Sequence, residues 1–429
     1  MTIIEILSLM NTAGRVLAVI LFLCYFYQVV YLFVPLFKKY RIKNPPKPNK
    51  YAILVAARNE ENVIPYLLDS ISAQDYNKEL FDVFVIADNC SDKTADVARE
   101  HGVKVYERFN TEKVGKGYAV NFLLRCMEND GLTDSYDAFL IFDADNLLSE
   151  NYITEINKIF SDGYQAVCGY RNSKNPMTNS ISAGYSYWYL HDSSHLNASR
   201  MALGTTCAVT GTGFGFTREL YRKMGGWNFF TLTEDIEFNS WCAAEGVKIG
   251  YCESAVLYDE QPETLAQSWN QRKRWVQGGL QVSLKYGWRL FCGMFRGFGR
   301  AWGCFETLTL SLWGYLFSIL VSLIPIVTLI IPKHYDLLLR SGILSVVGMY
   351  LFMALSSLMT VFMNHNKVSG SLTKKIIYIF TYPLFMFTYI PIAVCAIFSK
   401  SQWNPIEHKV TISIDKLKDK NKTKEYADS

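Results

Sequence analysis

The chain has 429 residues, with 43 Lys and Arg against 39 Asp and Glu and a formal net charge of +4. Half of its residues are hydrophobic and 19% are charged, against a usual charged share of about 25%. This composition excludes a disordered chain, a collagen and a disulfide-rich miniprotein, and the net charge is too small to indicate nucleic-acid binding. Because the mean hydropathy is positive, at +0.07, membrane segments are the first features to look for.

Four stretches are apolar and free of charged residues, at 16–37, 307–332, 342–363 and 376–398. Each is long enough to span a bilayer, which takes about 20 apolar residues. The alternative is four buried helices of a soluble protein, but helices of that length in soluble proteins carry a polar face. The sequence therefore predicts an integral membrane protein.

Basic residues at 38–43 follow the first stretch, and the positive-inside rule assigns that side to the cytoplasm. The Lys-rich tail also favours the cytoplasm, whereas four crossings would send it outside. Pro383 and Pro391 can break the last stretch, so the side of the tail stays open. The predicted organisation is a transmembrane helix with its basic flank at 1–43, a cytoplasmic domain at 44–280, an interfacial amphipathic helix at 281–304, about three transmembrane helices at 305–400 and a charged tail at 401–429.

The cytoplasmic segment alternates short apolar runs with amphipathic ones. Strands are predicted at 51–56, 81–87, 103–107 and 138–142, and helices at 64–71, 94–100 and 119–128. This alternation predicts an α/β fold with a mainly parallel sheet and helices on both faces. Acidic residues follow several of the strands, at the carboxyl edge where such sheets bind ligands.

Asp143 and Asp145 come directly after the fourth predicted strand. Two carboxylates at a strand end suit a hard cation, Mg²⁺ or Mn²⁺, that also binds a substrate phosphate. A turn stabilised by Asp explains the pair about equally well.

Two further residues fit a nucleotide site. Asp88 ends the second strand and could accept hydrogen bonds from a base or a ribose, and Lys116 lies between two glycines, which allows close approach to phosphate. The alternatives are an Asx-turn at Asp88 and an exposed loop at Lys116.

Two later motifs are also candidates. Glu234 and Asp235 precede a predicted helix, where the alternative is a pair of surface acids favoured by the helix dipole. The motif Gln271-x-x-Arg274-Trp275 precedes a basic, aromatic stretch whose residues 286–298 are typical of a helix lying in the membrane interface. A purely structural role is a strong alternative for this motif, because Lys, Arg and Trp commonly anchor a protein at the membrane interface.

The order and spacing of these motifs resemble the family 2 glycosyltransferases, and in particular their membrane-integrated branch of cellulose, chitin, hyaluronan and poly-N-acetylglucosamine synthases. The matching positions are, in chain order, 56–61, Asp88, Asp143 with Asp145, 233–235, and Gln271 with Arg274 and Trp275. The resemblance covers about residues 50–300, and the Gln-x-x-Arg-Trp motif is its most specific part. It implies a GT-A fold with an α-helical transmembrane region, a UDP-linked sugar donor, a divalent metal and inversion at the anomeric carbon.

The resemblance also implies a role for each matching residue. The implied donor-binding residues are Ala57, Glu60, Asp88, Lys116, Asp143 and Asp145, of which Asp143 and Asp145 would hold the metal with the diphosphate. This chain has Ala56 and Ala57 where the family often has Pro, which leaves the detailed shape of that loop in question.

The implied catalytic base is Asp235, next to Glu234. Gln271, Arg274 and Trp275 would hold the diphosphate and the acceptor sugar, since Arg274 is a cation and Trp275 offers a flat apolar face. The implied acceptor-binding residues are Gly211, Thr212, Gly213 and Trp275.

The leading hypothesis is a processive enzyme that extends a β-linked polysaccharide and exports it through its own spans. One alternative is an enzyme that transfers a single sugar to a membrane lipid. Another is a transporter or scaffold with a degenerate nucleotide-binding domain, against which the intact set of carboxylates argues.

The expected partners are a UDP-sugar, a polysaccharide or lipid-linked acceptor, and membrane lipids. Four spans form a narrow bundle for a polymer, which leaves a homodimer or a helper subunit as an open alternative. The expected location is the plasma membrane of a bacterium, with the catalytic domain in the cytoplasm.

Overall fold

The computed structural model describes residues 2–399 and 410–417. Its strands are β1 Tyr51–Ala57, β2 Phe81–Asp88, β3 Lys104–Arg108, β4 Ala138–Asp143, β5 Leu147–Leu148, β6 Ala166–Ser173, β7 Phe214–Thr217 and β8 Ile249–Asp259. Its helices are α1 Ile3–Phe37, α2 Ile64–Ser72, α3 Thr94–Glu100, α4 Lys116–Asn129, α5 Tyr152–Ser161, α6 Ser180–His191, α7 Ala198–Leu203, α8 Arg218–Met224, α9 Glu234–Glu245, α10 Leu265–Gly293, α11 Phe298–Thr309, α12 Leu312–Ile330, α13 Tyr335–Met363, α14 Leu372–Phe387 and α15 Tyr389–Ile397.

In the described part of the chain the strands form one sheet, in the order β3-β2-β1-β4-β7-β6-β8-β5. The pairs among β1, β2, β3 and β4 are parallel, as predicted, and so is the pair of β6 with β8. β7 is antiparallel to both β4 and β6, and β5 is antiparallel to β8. The predicted α/β fold is therefore confirmed, and the second half of the sheet is mixed because β7 runs against its neighbours.

β1 and β4 lie in the middle of the sheet and are buried along almost their whole length. Because successive side chains of a strand point to opposite faces, this burial means that both faces of the sheet are covered. Strands buried on both faces are continuous apolar runs, which is why YAILVAA and AFLIFD show no polar alternation. Their shared register brings the ends of β1, β2 and β4 to one edge of the sheet.

Among the described residues, four helical segments are long and apolar enough to cross a membrane: α1, α12, α13 and the segment Leu372–Ile397. All four uncharged stretches are thus helical, as predicted. α1 and α13 begin earlier than expected because each helix continues beyond its uncharged stretch, past Arg15 and Arg340 respectively. α1 packs on α12, where a Cβ on Gly14 would lie 2.7 Å from Ile324 Cγ2.

The fourth segment is broken into α14 and α15 at Thr388. Pro383 and Pro391 flank the break, and a proline lacks the N–H that would continue the helical hydrogen bonds. Arg272 of α10 stabilises the end of α14, since its Nη1 donates to Phe385 O at 3.1 Å and to Thr388 Oγ1 at 2.7 Å.

Both ends of this broken segment contact the α/β domain and its continuation into α10. Near the start of α14, Tyr187 OH of α6 donates to Lys375 O at 2.8 Å. Near the end of α15, Gln277 Nε2 of α10 donates to Ala396 O at 2.9 Å. The segment therefore begins beside α6, which packs on β6, and ends beside α10.

The structure corrects the single interfacial helix predicted at 281–304. α10 is continuous to Gly293, so position 280 lies inside a helix, and α11 begins only at Phe298. Gly297, with a φ of 77°, lies between the two helices. The aromatic side chains that motivated the prediction are exposed at the end of α10 and the start of α11, namely Trp288, Phe291, Phe295 and Phe298.

Of the tail predicted at 401–429, residues 410–417 are described and the others lie outside the described residues. Ile414 and Leu417 are buried in a cluster with Leu147 of β5. Val410 N donates to Glu260 Oε2 at 2.9 Å, directly after β8. This part of the tail therefore lies on the α/β domain.

Candidate active site

Asp88 closes β2 at the carboxyl edge of the sheet and is 5% exposed. Its Oδ1 accepts a hydrogen bond from Arg108 Nη1 at 2.5 Å. Burial raises the pKa of Asp88, and Arg108 offsets only part of that rise. Together with Ala57 and Glu60, which line the same cavity, this carboxylate forms a pocket suited to hydrogen-bonding a ring N–H or a hydroxyl group.

Lys116 joins two sides of the cavity at the start of α4. Its Nζ lies 2.5 Å from Asp143 Oδ1 and donates to Gly211 O at 2.8 Å. Burial alone would lower the pKa of Lys116, but Asp143, Glu234 and Asp235 outweigh it and raise that pKa. The ammonium group is therefore charged at neutral pH and is placed to bind an anion that displaces a carboxylate from it.

Asp145 is 3% exposed and follows Asp143 after one residue. Asn146 Nδ2 lies 3.3 Å from Asp145 Oδ1, and Glu260 N donates to Asp145 Oδ2 at 3.4 Å. Asn146 Oδ1 in turn accepts from Asp143 N at 3.2 Å. These contacts hold the loop that carries both carboxylates at the end of β4.

The residues present fit a divalent cation. Asp143 and Asp145 offer carboxylate oxygens on the cavity wall, and oxygen is the donor that Mg²⁺ and Mn²⁺ prefer. Within residues 2–399 and 410–417, no cluster of three or more His, Cys, Asp and Glu side chains is placed to hold an ion by itself. The pair therefore suits an ion that completes its ligands with diphosphate oxygens and water.

Glu234 and Asp235 form the first turn of α9 and line the cavity. Burial raises the pKa of both carboxyl groups, and repulsion by Asp235 adds to the rise for Glu234. A Cβ on Gly211 would lie 3.9 Å from Asp235 Oδ2, so Asp235 is next to the loop that Lys116 also contacts. A carboxylate with a raised pKa is a better proton acceptor than an ordinary one, which suits a general base.

Gln271, Arg274 and Trp275 lie on one part of α10, and all three line the cavity. Arg274 Nη1 donates to Leu232 O at 2.7 Å, in the loop that leads into α9. Gln271 Oε1 is buried and has no hydrogen-bond partner among the described atoms. The ring of Trp275 meets Trp188 of α6 edge to face, with centroids 5.7 Å apart, so the motif presents an amide, a cation and aromatic faces.

One cavity of about 1780 Å³ joins these groups, and the predicted site residues line it except for Thr212 and Gly213. Thr212 lies behind the wall, where its Oγ1 accepts from Asp143 N at 2.9 Å and donates to Asn146 Oδ1 at 2.5 Å. A Cβ on Gly213 would overlap Leu257 Cδ2. Neither position therefore lines the cavity in this structure: Thr212 supports the loop that carries Asp143 and Asp145, and Gly213 allows close packing against β8. Their role in acceptor binding stays a prediction.

Arg171 was not among the predicted site residues, yet it lines the cavity beside Gly211. Its Nε donates to Asp259 Oδ2 at 3.0 Å, its Nη1 donates to Thr210 O, and its guanidinium stacks on Tyr189 at 3.9 Å. Burial lowers the pKa of Arg171, but Asp259, Tyr189 and Asp143 together outweigh it and raise that pKa. Arg171 follows the apolar part of β6, so the strand-end pattern that identified Asp88 also pointed to it.

Comparison with known proteins agrees with this geometry. Residues 48–278, which are more than half of the chain, match the family described as glycosyltransferase like family 2. The chain belongs to glycosyltransferase family 2, an enzyme family whose members include hexosyltransferases. A mannosyltransferase from Pyrobaculum calidifontis, solved in complex with GDP-mannose and Mn²⁺, has the same fold, with a TM-score of 0.56, 17% identity, and coverage of 90% of this chain and 99% of that one.

Curated relatives act on different acceptors, according to their names. A beta-monoglucosyldiacylglycerol synthase of Trichormus variabilis is 27% identical over 315 residues, which cover 70% of this chain and 63% of the relative. A poly-beta-1,6-N-acetyl-D-glucosamine synthase of Staphylococcus aureus is 27% identical over 239 residues, which cover 54% of this chain and 55% of the relative. The chain thus spans less than two thirds of the length of these relatives.

Proposed function

We propose that this protein transfers a single hexose from a UDP-sugar to a hydroxyl group of a membrane lipid, with inversion at the anomeric carbon. The observation that carries this proposal is the membrane end of the cavity. There the lining side chains come from α12, α13, α14 and α15, and they include Leu316, Ile319, Met353, Ile390, Val394 and Ile397. Tyr315, Ser318 and Tyr389 are the polar side chains among the described lining residues of these four helices.

The aliphatic lining at the membrane end of the cavity favours a lipid acceptor over a sugar polymer. A polysaccharide carries several hydroxyl groups on each unit, and hydroxyl groups buried without hydrogen-bond partners cost about 1–3 kcal/mol each. An acyl chain, by contrast, gains about 0.8 kcal/mol for each buried methylene group. The lipid alternative therefore replaces the polymer as the leading hypothesis, and the name of the Trichormus relative supports it.

The polysaccharide hypothesis remains the second candidate. The aromatic side chains of Trp188 and Trp275, which line the cavity, suit a sugar ring in the acceptor position. The Staphylococcus relative is named for such a polymer. The transporter or scaffold alternative has no comparable support.

The chemistry follows from the charges around the cavity. We infer that Asp235 takes the proton of the acceptor hydroxyl as its oxygen attacks the anomeric carbon, since Asp235 is a half-buried carboxylate that lines the cavity and has a raised pKa. Lys116 and Arg274 bear the positive charge that stabilises the departing diphosphate. Trp275 supplies an apolar face for the reacting sugar.

The part of the cavity at the strand ends would bind the nucleotide of the donor. Asp88, held by Arg108, is placed to accept hydrogen bonds from the base or ribose of the donor. Asp143 and Asp145 would hold Mg²⁺ or Mn²⁺, which would neutralise diphosphate charge when bound. The residues at this end fit a nucleoside diphosphate, and we assign UDP on the sequence motifs.

We also propose that the catalytic domain is cytoplasmic and that the fourth apolar segment does not cross the membrane. The basic flank at 38–43 assigns the domain to the cytoplasm. Lys367, in the linker between α13 and α14, pairs with Glu253 of β8 at 2.7 Å, and Val410 beyond α15 contacts Glu260. Since both flanks of α14 and α15 contact the same domain, the pair enters and leaves on one side.

The proposed function is tested with purified protein in nanodiscs that contain diacylglycerol. Radiolabelled UDP-glucose and UDP-N-acetylglucosamine are supplied separately with Mg²⁺ or Mn²⁺, and products are separated by solvent extraction and by size. A single labelled sugar in the organic phase is expected. A long polymer in the aqueous or insoluble fraction would overturn the lipid assignment and establish the second candidate.

A further inference from the structure

The described part of the C-terminal tail, residues 410–417, lies against the edge of the sheet next to the candidate metal site. β5 is the last strand in the order of the sheet, and it pairs with β8 through two residues, Leu147 and Leu148. A strand of two residues forms few ladder hydrogen bonds, so its position depends on how its side chains pack. Ile414 and Leu417 supply part of that packing, because they are buried in one cluster with Leu147.

β5 begins directly after the loop that carries the candidate metal ligands. Asp143 ends β4, Asp145 and Asn146 follow, and Leu147 begins β5. The loop is therefore anchored at one end by a central strand and at the other end by the edge strand on which the tail segment packs. A shift of Leu147 would move Asp145, because only one residue separates them in the chain.

A second contact links the tail segment to Asp145 through Glu260. Val410 N donates to Glu260 Oε2 at 2.9 Å, and Glu260 N in turn donates to Asp145 Oδ2 at 3.4 Å. Glu260 follows the last residue of β8 and lines the cavity, as Asp145 does. The tail segment thus contacts both the strand that follows Asp145 and the residue that donates to its carboxylate.

We propose that residues 410–417 position Asp145 for the divalent cation, and that detachment of this segment weakens the binding of a nucleoside diphosphate together with its metal. Residues that hold a metal ligand in place commonly change metal affinity by about 10–100-fold when they are replaced. Val410, Ile414 and Leu417 are positioning residues, since none of them lines the cavity. The proposal rests on the metal site of the proposed function, and it is independent of the acceptor.

A purely stabilising role of the tail segment makes a different prediction. If the segment only shielded Leu147 from water, its loss would lower the unfolding temperature and leave the UDP affinity of the folded protein unchanged. If it positions Asp145, its loss weakens UDP binding only when metal is present. The contact proposed for the base or ribose should persist in either case, because Asp88 lies on β2, away from the strand on which the segment packs.

The test measures UDP affinity of the purified full-length protein by isothermal titration, once with Mg²⁺ or Mn²⁺ and once with EDTA. Val410→Pro removes the N–H that donates to Glu260, and its matched control Val410→Ala keeps that N–H. Ile414→Asn places a polar amide in the apolar cluster, and its matched control is Asp415→Asn at the exposed neighbouring residue.

Val410→Pro and Ile414→Asn are each expected to weaken UDP binding about tenfold with metal and to leave it unchanged in EDTA. Both controls should bind UDP as the wild type does. Electron paramagnetic resonance of Mn²⁺, titrated into the protein with UDP present, measures the metal directly and should show the same loss. In an Asp145→Ala background Val410→Pro should have no further effect, because the side chain through which it acts is gone.

The outcomes separate this inference from the proposed function. Metal-dependent UDP binding by the wild type, with equal affinities in Val410→Pro and Ile414→Asn, would overturn the inference and leave the proposed function intact. Weaker UDP binding in EDTA as well would show that the segment supports the fold as a whole, which also contradicts the inference. Metal-independent UDP binding by the wild type would reject the metal assignment of the proposed function, and this inference with it. Either variant decides the question if the other fails to fold.

Discussion

Lys116 and Asp143 form an ion pair of 2.5 Å between the start of α4 and the end of β4. The pair occupies the place where donor phosphates and a metal would meet, because Asp143 is a candidate metal ligand and Lys116 is charged. Binding of a metal to Asp143 would release the ammonium group for the diphosphate. Binding of the donor with a metal would therefore have to replace this ion pair.

Replacing Lys116 by Gln is expected to weaken UDP binding about tenfold or more, since hydrogen bonds to charged groups contribute about 1.5–3 kcal/mol. Isothermal titration with UDP and Mg²⁺ measures the effect. Lys104→Gln on β3, an exposed side chain outside the cavity, is the matched control. Equal affinities in the wild type and Lys116→Gln would remove Lys116 from the diphosphate site.

Asp235→Asn is expected to reduce sugar transfer by about 10²–10⁴-fold, the usual contribution of a general base. UDP affinity should change little, because the amide keeps the shape of the side chain and the nucleotide pocket is formed by other residues. Transfer is measured by radiolabel and UDP binding by titration. Glu245→Gln, at the opposite end of α9, is the control, and loss of UDP binding in Asp235→Asn would contradict the assignment of a base.

The raised pKa of Asp235 sets the expected direction of the pH dependence. The base must be ionised, so kcat/KM should rise with pH and reach its plateau above the ordinary carboxylate range of about 3.9–4.3. The profile is measured between about pH 4 and about pH 9. A midpoint at or below the ordinary carboxylate range would contradict a base with a raised pKa.

The same shift affects stability with a defined sign. A carboxyl group with a raised pKa in the folded state stabilises the fold below its unfolded pKa of about 4, and this contribution is lost as pH rises through the folded value. Without metal, the wild type should therefore lose thermal stability as the pH rises above about 4, and Asp235→Asn should lose less. Apparent unfolding midpoints in detergent check both expectations.

Chelation of divalent metal with EDTA is expected to abolish transfer, and added Mg²⁺ or Mn²⁺ should restore it. Asp145→Ala should weaken UDP binding in the presence of metal and change it little without metal, because Asp145 would act through the ion. Titration with and without EDTA separates the two effects. Full activity in EDTA would reject a metal at Asp143 and Asp145.

A broken fourth segment that does not cross the membrane predicts a cytoplasmic C-terminus. Fusion of green fluorescent protein after residue 429 should fluoresce in bacterial cells, and fusion of alkaline phosphatase at the same place should be inactive. A phosphatase fusion within the α12–α13 turn, at Lys333, should be active and serves as the control. An active phosphatase at the C-terminus would show that α14 and α15 cross.

Much of the catalytic half of the site could be predicted from the sequence. Asp88, Asp143 and Asp145 follow buried strands, and parallel strands necessarily end at one edge of the sheet. Their proximity could therefore be predicted from the alternation of strands and helices along the chain, which indicates a parallel sheet, and from their position at the strand ends. The four apolar segments were predictable for a similar reason, since length and the absence of charge suffice to indicate them.

Other parts of the cavity wall depended on tertiary structure. Asp192 and Glu306 are more than 100 residues apart in the sequence, and neither belongs to a motif, so only the packing of α11 against the α/β domain brings them to one wall. The sequence also left open on which side of the membrane the tail lies, because four crossings would place it outside whereas its Lys residues favour the cytoplasm. The contact of Val410 with Glu260 supports a cytoplasmic tail, because it brings the tail onto the α/β domain. Composition and periodicity do not encode such a contact between two distant parts of the chain.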